Sequence, residues 1–483
     1  MKKKIRAFFD SNSGVRLIRR IADSDLYPAL FCLLAFMAYC SHIEILFAAI
    51  LIALAAITLV FCENLKPILP PLFMFYFIVN LYHAPKQPTY SHYYSSPSAL
   101  FSIGILVLVL LAALVFHLWL FGEISAMFRH KTRLTYFIIP LSIALLCNGL
   151  FAEGYAPINL TFALTTILIW FFLYLLFFFG LPRGKETIRY FCSVCEWTAI
   201  LLILELIYVY ITRDVLVEGV IIESRISFGW GINNNYGAVT AMLIPPLFYL
   251  AGTRKHGWIH FLLAGATYAA MVLSLCRAAM LVGTLIFGVC LIAVCCFGSN
   301  KGLFRIFLCM ALTFLVGCVI FFREEILATF SSLMELGFSD EGRFALWRGG
   351  MEIFLRYPIF GGGFNTVSYH NLFHSWAGSA MPGLLHNTVI ELFCATGAFG
   401  GISYLAYRAR TVQLVLHRMT TERFFLGMVI AAIVGVGLLD NPMFIIYPTF
   451  YSTVALALVE GDYDDTLAGI AHQNKNKHPK TAA

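Results

Sequence analysis

The segment GWIHFLLAGATYAAMVLSLCRAAMLVGTLIFGVCLIAVCCFG, residues 257–298, carries one charged side chain, Arg277. As a single helix its roughly forty residues would reach about 60 Å at 1.5 Å per residue, about twice the thickness of a bilayer's hydrocarbon. The chain must therefore turn back. The turn belongs at Arg277, because an arginine left at the bilayer centre costs at least about 2.5–3.5 kcal/mol, whereas at an interface it meets water or an anion. Residues 257–298 are thus expected to form two membrane helices joined through SLCRAAM.

The rest of the chain agrees with that reading. Of its 483 residues 60% are apolar, 45 are phenylalanine and only 12% are charged, against roughly 25% charged in soluble domains. Fourteen apolar runs of near-spanning length can be marked. They predict an all-α, polytopic integral membrane protein of about 12–14 transmembrane helices with a long extracytoplasmic loop. The N-terminal MKKKIRAFFDSNSGVRLIRR is basic, and no small-residue cleavage site follows it, so it is expected to be a retained cytoplasmic tail. With that end inside, all but eight of the 33 Lys and Arg fall on the same side. The eight are Lys86, Arg213, Arg225, Arg277, Arg323, Arg343, Arg348 and Arg356, an asymmetry of the positive-inside kind. The net charge of +7 therefore reports topology, and no nucleic-acid partner is expected.

The expected organisation is a basic tail over 1–25, N-terminal transmembrane helices over 26–212, and a third region over 213–410 with an extracytoplasmic loop at 323–387. C-terminal transmembrane helices over 411–460 and a cytoplasmic tail over 461–483 complete it. Two further external segments, 83–97 and 213–235, are longer than simple turns. The loop at 323–387 is too small to stand as an independent domain and is expected to lie over the membrane helices as a lid. The thirteen cysteines sit mostly within apolar runs, where they act as small hydrophobes and call for neither zinc nor a disulfide framework. His370 and His374 have no acidic third ligand nearby in SYHNLFHSW, and aromatic loop packing is expected of them. Glu196 and Glu205 share one apolar run, as an intramembrane functional pair or as interhelical hydrogen-bonding groups.

Four outward features call for a common explanation: Arg225 in SRISFGWGINNN, Arg277, the stretch GRFALWRGGMEIFLRYPIFGGG, and His386-Asn387 before a span. Guanidinium is a planar, permanently charged donor fork that pairs bidentately with phosphate oxygens, so arginines on one membrane face point to an anionic, lipid-borne ligand. Asn387 or Thr388 is placed to cap the following helix, and Thr388-x-x-Glu391 fits a capping box. His386 then lies beside a helix N-terminus, where a neutral imidazole can accept a hydroxyl proton. No Gly-Lys-Ser/Thr follows Gly361, Gly362 and Gly363. Their expected task is a tight turn after Pro358 that lets backbone approach a ligand.

Together these residues resemble the O-antigen ligase and polymerase family. The pattern is Arg225-x-x-x-Gly229 with following asparagines, the arginine turn at Arg277, Arg343-x-x-x-Trp347, Pro358-x-x-Gly361-x-Gly363, His386-Asn387 and Gly397-x-x-Gly400. The resemblance covers roughly 220–410, most specifically from Arg343 to Gly400. One position departs from it: Cys276 stands where a serine is common.

The resemblance implies a membrane glycosyltransferase acting on a glycan linked to undecaprenyl pyrophosphate at the outer face of the cytoplasmic membrane. The glycan would pass to an acceptor hydroxyl on a glycan, lipid or protein, with inversion and with neither metal nor cofactor. His386, Arg277 and Arg225 would be catalytic, the arginines on the pyrophosphate and His386 on the acceptor. Arg343, Arg348, Asn387, Gly361 and Gly363 would bind substrate. Ligase and polymerase share the donor and are not separated by these motifs. A polysaccharide flippase or exporter is the alternative, although its ionisable groups would line a central path instead of gathering outside.

Overall fold

The computed structural model describes residues 1–80, 97–122, 132–217, 220–298, 301–321, 323–324, 343–370 and 384–477. The expected external segment 83–97 lies almost wholly outside them, as do His374 and, within the expected 323–387 loop, residues 325–342 and 371–383. Each of the fourteen apolar runs contains helix in its described part. Among the described residues seven helices are long and apolar enough to cross a membrane, or eight if the bent pair Ser13–Ala22 and Leu26–Ser41 counts as one. The other runs are shorter or broken. Pro67, Pro70 and Pro71 split Lys66–Ile78 into short helical turns, because proline supplies no N–H to a preceding turn.

In chain order the long elements are α1 (Lys2–Ser11), α2 (Ser13–Ala22), α3 (Leu26–Ser41), α4 (Glu44–Phe61) and α5 (Pro97–Leu120). Next come α6 (Thr135–Leu146), α7 (Pro157–Gly180) and α8 (Lys185–Thr212). A two-residue hairpin follows, β1 (Leu216–Val217) antiparallel to β2 (Val220–Ile221). Then follow α9 (Asn233–Thr253), α10 (Gly257–Leu273), α11 (Arg277–Phe297), α12 (Lys301–Phe321) and α13 (Arg343–Arg356). The chain closes with α14 (Thr388–Leu416), α15 (Thr421–Val436) and α16 (Ile446–Lys477). Both terminal segments expected as tails are thus helical, α1 and α2 at one end and the continuation of α16 at the other.

The centre of the bundle is α9, whose residues from Tyr236 to Ala251 are all buried, with α8, α10, α11 and α15 packed around it. Small residues allow the close approach: a Cβ on Gly237 would lie 2.5 Å from Cys276 Cβ and 2.8 Å from Ala279 Cβ, the small-residue contact typical of membrane helix pairs. Cys276, the departure from the family pattern, is therefore a buried packing residue at the N-terminus of α11.

The long α8 separates two ends of the molecule by about 42 Å at helical rise. Near its start the Tyr190 hydroxyl donates to Ala22 O at 2.9 Å and Lys185 pairs with Glu422 at 2.9 Å. That end is rich in ion pairs, with Arg133 on Asp464 at 2.9 Å and the fully buried Arg423 on Asp462 at 2.8 Å. Beyond the other end of α8, Arg213 donates to Asn80 Oδ1 at 2.7 Å and to Ser227 O, which ties down the start of the 224–235 segment.

Candidate functional site

The turn between α10 and α11 forms as the lone charge required. Leu275 takes φ 57°, Ser274 Oγ accepts from Cys276 N at 3.4 Å, and the Cys276 thiol donates to Asn234 O at 3.7 Å. Arg277 opens α11 as an exposed residue, where helix-end partial charge adds to its own in favour of an anion. Arg225 ends a short 3-10 turn, Glu223–Arg225, with its guanidinium on Asp214 O at 2.6 Å. Its neighbour Glu223 accepts from Asn233 Nδ2 at 2.9 Å, which joins the Arg225 turn to the start of α9 and so to the Arg277 turn.

His386 is held from three sides. Trp347 Nε1 donates to Leu385 O at 2.8 Å, and Leu385 N donates to Glu391 Oε2 at 2.6 Å, so both backbone groups before the histidine are committed. Asn387 is the N-cap of α14, accepting from Val389 N and Ile390 N at 3.0 Å each while its Nδ2 donates to Leu438 O at 2.8 Å. Glu391 reaches back past the cap to Leu385, two residues before the N-cap whose N–H an ordinary capping box would satisfy. Between these anchors His386 adopts φ 52°, a left-handed conformation that non-glycine residues keep only where surrounding contacts impose it.

The ring of His386 meets a residue that the sequence reading passed over. Nδ1 lies 3.0 Å from Asp440 Oδ1. With side chains 24% and 18% exposed, respectively, the pair is sheltered yet still reachable from outside. The 437–440 segment runs beside the histidine turn: Gly437 O accepts from Thr388 N at 2.7 Å and Leu439 O from Arg343 Nη1 at 3.1 Å. Burial alone would raise the Asp440 carboxyl. The His386 hydrogen bond and charge, the Asn441 N–H at 2.8 Å and the nearby Arg343 outweigh it and hold the group below its ordinary value. A carboxylate only accepts, so His386 Nδ1 carries the hydrogen and Nε2 is the basic nitrogen.

Asp440 and Arg343 both lie within electrostatic reach of Cys276, which puts the His386–Asp440 pair beside the Arg277 turn. Asn441 is 2% exposed, and neither of its amide atoms meets a hydrogen-bond partner among the described residues. Arg225 is linked to this centre through Glu223 and Asn233. Arg348 is exposed and, five residues after Arg343, points about 140° away round α13.

The glycine turn after Pro358 is tight, with Gly361 N donating to Tyr357 O at 2.9 Å. A Cβ on Gly361 would lie 2.4 Å from Ala395 C, and one on Gly363 would lie 2.2 Å from Asn159 Nδ2. The close approach at these two positions is therefore to the chain itself. Asn387 directs its side chain to its own helix and to Leu438 O.

The two acidic residues left open by sequence separate in space. Glu196 accepts from His260 Nδ1 at 2.6 Å, whereas the fully buried Glu205 accepts from Trp230 Nε1 at 2.8 Å. Both are interhelical or helix-to-loop hydrogen bonds. Trp230 packs among Phe77, Phe228, Tyr236 and Tyr447, so Glu205 anchors the segment that carries Arg225 and the asparagines of α9. Among the described residues no group of three His, Cys, Asp or Glu side chains is disposed to hold a metal.

An all-helical, multi-pass membrane protein with an arginine, histidine and aspartate centre at one end of its bundle is the class these features define. Residues 247–405 match the family model described as O-Antigen ligase, so the chain carries an O-antigen ligase domain over those residues, in a membrane enzyme of glycosyltransferase type. No curated protein matches the chain. The matched stretch includes Arg277, Arg343 and His386, whereas Arg225 and Asp440 lie outside it.

Proposed function

We propose that the enzyme transfers a glycan from undecaprenyl pyrophosphate to an acceptor hydroxyl at the outer face of the cytoplasmic membrane, with inversion and without a metal. The contact between His386 Nδ1 and Asp440 Oδ1, beside Arg343 and the Arg277 turn, is the observation that carries this reading. In the proposed step Nε2 of His386 takes the acceptor proton as the acceptor oxygen bonds to the anomeric carbon. The bond from that carbon to the pyrophosphate oxygen breaks, and the leaving undecaprenyl pyrophosphate keeps the electron pair. Asp440 stabilises the imidazolium that forms.

Arg277, Arg225 and Arg343 have the chemistry to bind the pyrophosphate and the charge that grows on it. Lipid pyrophosphate is already an activated leaving group, so positioning, charge stabilisation and one base suffice. The buried Asn441 amide offers a donor and an acceptor to a glycan hydroxyl. Arg348, exposed on α13, has its place in this reading as a peripheral contact to the glycan.

The reading is tested in membranes carrying a labelled lipid-linked oligosaccharide, comparing the wild type with His386→Ala and Arg277→Ala at matched expression. Transfer by the wild type and its loss in both variants is the expected result, and product size separates polymer from single-block ligation. Label that crosses the bilayer chemically unchanged would replace this reading with the flippase alternative.

A further inference from the structure

We infer that α1 and α2 form a collar at the membrane surface that binds acidic phospholipid headgroups, on the face opposite the His386–Asp440 site. This goes beyond glycan transfer and does not depend on it. The first observation is direction. The axis of α2 is bent by 73° from that of α3, so where α3 runs with the bundle, α2 lies across it.

The second observation is that the collar is fastened to the bundle. Asn12 caps α2 through Gly14 N and Val15 N, and Val15 and Ala22 are buried against the protein. Arg19 donates to Phe61 O at 2.8 Å and pairs with Asp10 and Glu63 at 2.8 and 2.5 Å. Arg6 Nε donates to Leu120 O at 2.9 Å. These contacts hold both helices at the ends of α4 and α5, the same end of the molecule at which Tyr190 meets Ala22.

The third observation is what the collar leaves outward. Phe8, Leu17 and Ile21 are 62%, 56% and 36% exposed. At about 100° per residue Leu17 and Ile21 share one side of α2, Val15 and Ala22 face the protein, and Arg16 and Arg20 lie about 100° from the apolar pair. Lys3, Lys4, Arg16 and Arg20 are exposed and make no ion pair among the described residues. A helix lying in an interface has this cross-section, with apolar side chains toward the acyl boundary and basic ones at headgroup level. Charge selects the occupant: a cationic rim beside an apolar strip suits an anionic headgroup on two acyl chains, and cytoplasmic leaflets supply such lipids.

The test uses the full chain in nanodiscs of phosphatidylcholine with a minor fraction of phosphatidylglycerol, with retained lipids counted by native mass spectrometry. The quadruple variant Lys3→Gln, Lys4→Gln, Arg16→Gln, Arg20→Gln is compared with a charge-matched control at the same end, Lys255→Gln, Lys301→Gln, Arg410→Gln, Arg418→Gln. The wild type and the control should both retain phosphatidylglycerol preferentially, and the collar variant should lose that preference roughly fivefold or more, at least the worth of one basic contact at an anionic surface. Equal loss in the control would overturn the inference in favour of general charge, as would unchanged retention in the collar variant. A spin label at Leu17→Cys supplies an independent measurement. Accessibility at the headgroup–acyl boundary supports the collar. Full water accessibility would sink it, as would burial in a dimer that Leu17→Ser dissolves.

Discussion

Asp440 is where the site departs most from what its sequence displays. His386 could be singled out because it precedes a helix cap, but its partner sits 54 positions later in LLDNP, at the end of an apolar run and without a motif of its own. Only the pairing of the 386–388 and 437–440 turns brings the two together. In the proposed mechanism Asp440→Asn keeps the shape but reverses the donor pattern facing Nδ1, which favours the wrong imidazole tautomer. Transfer should fall by roughly two to four orders of magnitude, with donor binding little changed, in single-turnover assays on purified enzyme. The same residue makes a stability prediction. Its carboxyl titrates below the ordinary value when folded, so its contribution is complete above the ordinary carboxylate value, about pH 4, and is lost as pH falls through the lowered folded value. Thermal melts of the wild type should therefore weaken over that acid window more steeply than those of Asp440→Asn.

Two glycine motifs that look separate in sequence prove to be one device at the level of elements. The backbone of α14 is broken at Gly397, with φ 68° and ψ −166°, and the 358–363 segment fills the break. Gly362 N donates to Cys394 O at 2.8 Å, Gly363 N to Ala395 O at 3.0 Å, and Ala398 N to Pro358 O at 2.7 Å. Irregular backbone at membrane depth survives only where protein satisfies its polar groups, and each motif does this for the other. Sequence marks both as places of tight backbone but cannot match them, because the match is a tertiary contact between segments more than thirty residues apart. A Cβ on Gly397 would meet Ile359 C at 2.3 Å, and its φ and ψ belong almost solely to glycine at a cost of order 1–3 kcal/mol to other residues. Gly397→Ala should lower the detergent-solubilised melting temperature and reduce transfer together, by loosening the α14 N-terminus that carries Asn387 and His386. Gly265→Ala, where a Cβ meets nothing within 4 Å, is the matched control and should do neither.

Across the whole molecule, helix content and the alternation of the chain are legible because bilayer thickness leaves few alternatives for apolar runs. The Arg277 turn is legible for the same reason. The lengths of individual spans are less so: α6 and α10 are short, Lys66–Ile78 is segmented by proline, and α2 turns sideways at Asp23-Ser24-Asp25 before α3 begins. The span lengths depend on packing against neighbours, which hydropathy does not encode. End contacts nevertheless sort the chain consistently. Lys185, Arg254, Arg133 and Arg423 gather with Asp25, Asp464 and Asp462 at one end, and Arg225, Arg277, Arg343 and His386 gather at the other. Combined with the excess of basic residues at the first end, this arrangement predicts that the first end is cytoplasmic. In a background lacking exposed thiols, Arg348→Cys should react with a membrane-impermeant maleimide in intact spheroplasts, whereas Lys255→Cys, in the exposed turn between α9 and α10, should react only after permeabilisation. Reaction of Lys255→Cys in intact spheroplasts with Arg348→Cys protected would invert the protein. The His386–Asp440 pair would then face the nucleotide-rich side of the membrane, and an outer-face transferase could no longer be built from these residues.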